Sequence, residues 1–92
     1  MNAAQLVDSI FRRDQPGAAA NVRQLTFDQF KYLRDLILNE EHRGTVSHGL
    51  DGSLIWARDG KESYQLSENR VAWKHSLTRL ASPGAGSGTL FG

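Results

Sequence analysis

A chain of 92 residues, 39% hydrophobic, can bury one modest core and has little left over to enclose a deep active site. Eleven basic against ten acidic side chains leave a net charge of +1, which gives no general argument for a nucleic-acid or acidic-membrane partner, and the absence of cysteine excludes disulfide staples, thiolate zinc sites and cysteine nucleophiles. No apolar run reaches the length of a membrane span, and Asp8 interrupts the only apolar stretch near the start, so no signal peptide or membrane partner is expected and the expected location is the cytoplasm.

Residues 2–13 read as a short amphipathic helix, with Ala3, Leu6, Val7, Ile10 and Phe11 on one face. Asn2 is placed to cap it and Gln5 stands where a capping box wants Gln or Glu. Asp14-Gln15-Pro16-Gly17 ends it, and 18–21 is a connector without periodicity. A second helix starts at the T-x-x-Q box of Thr26 and Gln29, stapled by Leu25 and Phe30. Phe30, Leu33 and Ile37 form its central stripe, flanked by Phe27 and Leu36. Lys31 and Asp35 form an i,i+4 pair worth about 0.3 kcal/mol. His42 and Arg43 suit the C-terminal dipole, and Gly44 is the expected C-cap.

Three short strands should follow. Asp59-Gly60 between the strand-like runs 53–58 and 61–66 is a strong signal for a two-residue hairpin turn. That turn sets Trp56 opposite Ser63 and Ile55 opposite Tyr64, and a four-residue loop over 49–52 sets Val46 beside Ile55. Val46, Ile55 and Tyr64 then form the buried row, while Leu54 and Trp56 lie on the other face near Arg58 and Lys61. Over 67–81, Trp73, Leu77 and Leu80 fit helical spacing, although Val71, Trp73 and His75 also alternate as in a strand; the helix is the expectation.

The expected fold is therefore α+β: two N-terminal helices, a three-stranded antiparallel meander and a C-terminal helical segment. They form a single domain over 1–81, with a disordered, flexible Gly/Ser-rich tail over 82–92. The tail's Leu90-Phe91 is similar to the ending of bacterial sliding-clamp-binding peptides over those two residues, with Ser87 where such peptides usually carry glutamine.

The chemistry points to binding rather than catalysis. No G-x-S-x-G elbow, Walker loop or dinucleotide fingerprint is present, so no cofactor is expected. His42 and His48 with Glu40 and Glu41 are not at a metal-ligand spacing, so no metal site is expected. The first expectation is a non-enzymatic protein-binding module in which Leu54, Trp56, Arg58 and Lys61 are the contact residues, because tryptophan and arginine anchor protein interfaces. In size and style the chain is similar to small phage and mobile-element accessory proteins that inhibit or scaffold a larger host complex. The alternative is a nucleic-acid-binding protein using Arg70, Lys74 and Arg79 of the last helix with the nearby tryptophans. A homodimer also fits a face that the monomer leaves uncovered.

Overall fold

The structure is a computed structural model that describes residues 1–39, 44–49, 51–58 and 62–80. Helix α1 spans Ala3–Arg12 and opens with the expected capping box: Asn2 Oδ1 accepts from the Gln5 N–H at 2.8 Å, and Gln5 Oε1 accepts from the Asn2 N–H at 3.0 Å. Helix α2, Phe27–Asn39, opens the same way through Thr26 and Gln29, at 3.1 and 2.9 Å. Two backbone N–H groups that a helix start leaves unpaired are satisfied in each case.

The remaining elements are strands, and here the expected architecture is wrong. Strand β1 (Val22–Leu25) precedes α2, and β2 (Gly44–His48), β3 (Leu54–Arg58), β4 (Ser63–Asn69) and β5 (Lys74–Arg79) follow it. They form one antiparallel sheet in the order β1-β5-β4-β3-β2, not a three-stranded meander. The expected C-terminal helix is the end of β4, a turn and β5. Leu77 and His75 alternate inward while Ser76 and Thr78 face out, so the period of two governs where the helical spacing of Trp73, Leu77 and Leu80 was coincidental. Gly44 starts β2 instead of capping α2.

Both hairpin registers differ from expectation by one residue. Trp56 pairs with Tyr64 and Ala57 with Ser63, which leaves five intervening residues where a two-residue turn allows four. Val46 pairs with Trp56, not Ile55. A one-residue slip turns every side chain of a strand to the opposite face. The observed register gathers Leu54, Trp56, Tyr64 and Leu66 on the face covered by α1 and α2, with Ala3, Val7, Phe30, Leu33, Ile37 and Leu77 completing the core. The expected register would have split those four between two faces. Each large apolar side chain left in water forfeits about 1.5–3 kcal/mol, which favours the observed register; Asp59 and Gly60 themselves lie outside the described residues. The other sheet face carries Gln24, Ser47, Ser63, Gln65, Ser67, Ser76 and Thr78, and Ile55 lies half-buried among them. That is the solvated side of a two-layer domain.

The β1 edge is closed by its own chain. The Gln15 side-chain amide donates to the Gln24 carbonyl at 3.1 Å and accepts from the Gln24 N–H at 2.6 Å, and the Val22 N–H donates to the Ala19 carbonyl at 3.1 Å. Gln15→Ala is expected to lower stability by about 1–2 kcal/mol in urea unfolding, the net value of two such bonds.

Candidate binding site at the β4–β5 hairpin

Leu54, Trp56 and Arg58, three of the four residues first expected to make contacts, are held by the chain itself. Trp56 is 3% exposed and Leu54 6%. Arg58 lies over the Trp56 ring at 5.5 Å and pairs with Asp8 of α1 at 3.5 Å, so it closes the core rather than offering a hand to a partner. Lys61 lies outside the described residues, as do His42, Glu40, Glu41 and residues 82–92. Of the alternative set, Arg79 is also committed elsewhere. The strand carries it to the far end of β5 from Lys74 and onto the helix-covered face, where its guanidinium sits 4.3 Å from the Phe11 ring centre. Five residues of extended strand set Arg79 about 17 Å from Lys74.

Arg70 and Lys74 are brought together, on either side of an exposed tryptophan. The four-residue turn between Asn69 and Lys74 is fixed by Asn69, whose Oδ1 accepts from the N–H groups of Val71 and Ala72, both at 3.0 Å. Trp73 closes this turn at φ 55°, the one left-handed non-glycine residue among those described. A bulky side chain in that region is strained by about 1–2 kcal/mol. Trp73 is nevertheless 60% exposed, and Val71 is 100% exposed. The Trp73 ring leans on Phe27, 41% exposed, with centroids 5.7 Å apart, and meets His75 edge-on at 5.6 Å.

Cations surround this aromatic pair. Lys31 Nζ stands 5.2 Å from the Phe27 ring centre, its expected ion pair with Asp35 being absent among the described residues. One turn further along α2, Arg34 lies over Phe30 at 5.5 Å. Arg34, His48, Arg70 and Lys74 line an open cleft of about 1050 Å³ at this end of the sheet, with Leu38, Leu54, Leu66 and Asn69. Two acids share the cleft, and both are occupied. Asp51 accepts from the Ser53 hydroxyl at 2.7 Å and the Ser53 N–H at 3.1 Å, which hold its carboxyl below the usual value of 3.8. Glu68 uses one oxygen for His75 Nε2 at 3.0 Å and the other for Arg70 Nε at 3.2 Å.

The His75–Glu68 pair ties the two strands of the hairpin together. His75 is 3% exposed and enclosed by Phe27, Phe30 and Trp73, at ring distances from 4.6 to 5.6 Å. The hydrogen bonds from His75 and then Arg70 lower the Glu68 pKa from the ordinary 4.5. At the sheet's other end, the Tyr64 hydroxyl, 2.6 Å away, does the same for Glu62. A carboxyl whose pKa is depressed on folding contributes stability above its unfolded value and loses it as pH falls through the folded one. Unfolding midpoints should therefore hold above pH 4.5 and drop below it, and Glu68→Gln should flatten part of that drop.

No group of three or more His, Asp or Glu among the described residues is placed to hold a metal ion, and no helix among them is long and apolar enough to cross a membrane. Comparison of the chain with protein-family models, with curated proteins and with solved structures finds no match.

Sequence reasoning placed Trp73 beside Arg70 and Lys74 but passed over Phe27, Lys31, Arg34 and Val71. The available signal was an Asn followed by apolar residues in a turn, which spends Val71 and Trp73 on solvent. The strain at Trp73 gives a direct check. Trp73→Gly should be more stable than Trp73→Ala by about 1 kcal/mol in urea unfolding, since both lose the ring and only glycine relaxes the left-handed backbone.

Proposed function

We propose that this chain is a non-enzymatic binding module that takes single-stranded nucleic acid across Trp73 and Phe27. The observation that carries this reading is a strained tryptophan, mostly in solvent, flanked in the hairpin by Arg70 and Lys74, with Lys31 at the adjoining Phe27 ring and Arg34 in the cleft that Arg70 and Lys74 also line. Exposed rings stack on bases whatever the sequence, and surrounding cations neutralise the phosphates. Backbone strain kept at an exposed aromatic is a mark of a functional position.

Titration of fluorescently labelled oligothymidylate tests it. Affinity should fall about tenfold in Trp73→Ala, and the slope of log affinity against log salt should shrink by about one in Lys74→Gln. Binding indifferent to salt, or no binding at low salt, contradicts it.

The complete exposure of Val71 favours a second reading, a protein partner with an acidic rim and an apolar pocket. Trp73 and Arg70 would be its anchors, in place of Trp56 and Arg58. An accessory protein that inhibits or scaffolds a larger host complex belongs to this reading. Capture of a partner that survives nuclease and is lost with Trp73→Ala supports it over the first.

A further inference from the structure

We propose that two copies of this chain pair through β2, antiparallel and two-fold symmetric, to make one continuous sheet. The two edges of the sheet differ. The outward-facing backbone groups of β1 are taken by Gln15 and Ala19. Those of β2 have no such cover among the described residues. The Gly49 N–H donates to the Ser53 carbonyl at 2.8 Å, which points residue 49 toward β3. Alternation along an antiparallel strand then points 47 and 45 inward, and leaves the N–H and C=O of Gly44, Val46 and His48 facing away from the sheet.

Natural edge strands are blunted with lysine, proline, a bulge or a covering segment. The sequence of β2, GTVSH, contains no lysine, arginine, carboxylate or proline, and its pairing with β3 runs without a bulge. Its three outward-facing positions are symmetric about Val46. A second copy laid antiparallel sets Val46 against the partner's Val46 and Gly44 against the partner's His48, so that each facing pair exchanges both its bonds. The same residues supply both halves, as a two-fold interface requires. A second copy satisfies this edge without any feature the chain does not already have.

Sedimentation of the full chain tests this, with a species of twice the 10.2 kDa chain mass expected. Ser47→Lys places a charge on the exposed face beside the axis and should weaken the dimer by an order of magnitude while the circular dichroism stays unchanged. The chain has no natural cysteine, so Val46→Cys introduces a lone thiol at the axis and should lock the dimer on mild oxidation. Gln24→Cys on the covered edge should not. A wild-type chain that stays monomeric throughout overturns the proposal. So does a dimer that Ser47→Lys leaves intact and Val46→Cys fails to lock.

Discussion

Replacing Trp56 by alanine should lower the unfolding free energy by about 3–5 kcal/mol, the range for removing a large buried aromatic. A domain of this size is typically stable by about 5–15 kcal/mol, so the loss is a large fraction of the whole. The ring is 3% exposed and packs beside Tyr64, with centroids 6.1 Å apart, under the cover of Arg58. Its indole N–H is buried without a hydrogen-bond partner among the described residues. Burying such a group unpaired costs about 1–3 kcal/mol, so Trp56→Phe removes that penalty together with some volume and should lose far less than Trp56→Ala. Urea unfolding of the two variants separates the packing of the ring from the cost of its nitrogen. A Trp56→Ala protein as stable as the wild type would contradict the observed register.

The second large effect is expected at Arg23. This residue is 9% exposed and stands on β1 with no carboxylate beside it among the described residues. Its guanidinium donates instead to main-chain carbonyls: Nε to Arg13 at 3.1 Å, Nη1 to Val22 at 2.9 Å and to Ala19 and Ala20 at 3.3 Å, and Nη2 to Phe11 at 3.4 Å. It also lies over the Phe11 ring at 5.1 Å. The end of α1 and the whole connection to β1 are thus gathered onto one planar fork. Arg23→Ala should cost about 3 kcal/mol, because several carbonyls lose their donor at once. Arg23→Lys should recover less than half of that, since an ammonium cannot span the same carbonyls or stack flat on the ring. Thermal unfolding of both variants checks it, and full rescue by lysine would mean that charge alone matters.

How far the sequence carries depends on the range of the interaction that decides each element. The capping boxes at Asn2 and Thr26 are local, and both helices are found where those residues place them. Strand β1 has only four residues, and its partner β5 lies some fifty positions later, so nothing near it in the chain announces it. The registers of β3 are decided by which face can gather Leu54 and Trp56 with Tyr64 and Leu66, a comparison that the turn residues do not contain. The segment 67–81 carried both periods, and pairing with β4 and β1 selected the strand. The candidate site suffered most from this. A one-residue error in register put Trp56 outside when it lies inside, and the helical reading of 67–81 missed the turn that leaves Trp73 in solvent.

The roles of the two indoles can be measured separately in Trp73→Phe, which leaves only Trp56 emitting, and Trp56→Phe, which leaves only Trp73. Acrylamide quenching should find Trp56 shielded, with blue-shifted emission, and Trp73 open to the quencher until oligothymidylate protects it. An accessible Trp56 beside a shielded Trp73 would contradict both the fold and the site drawn from it.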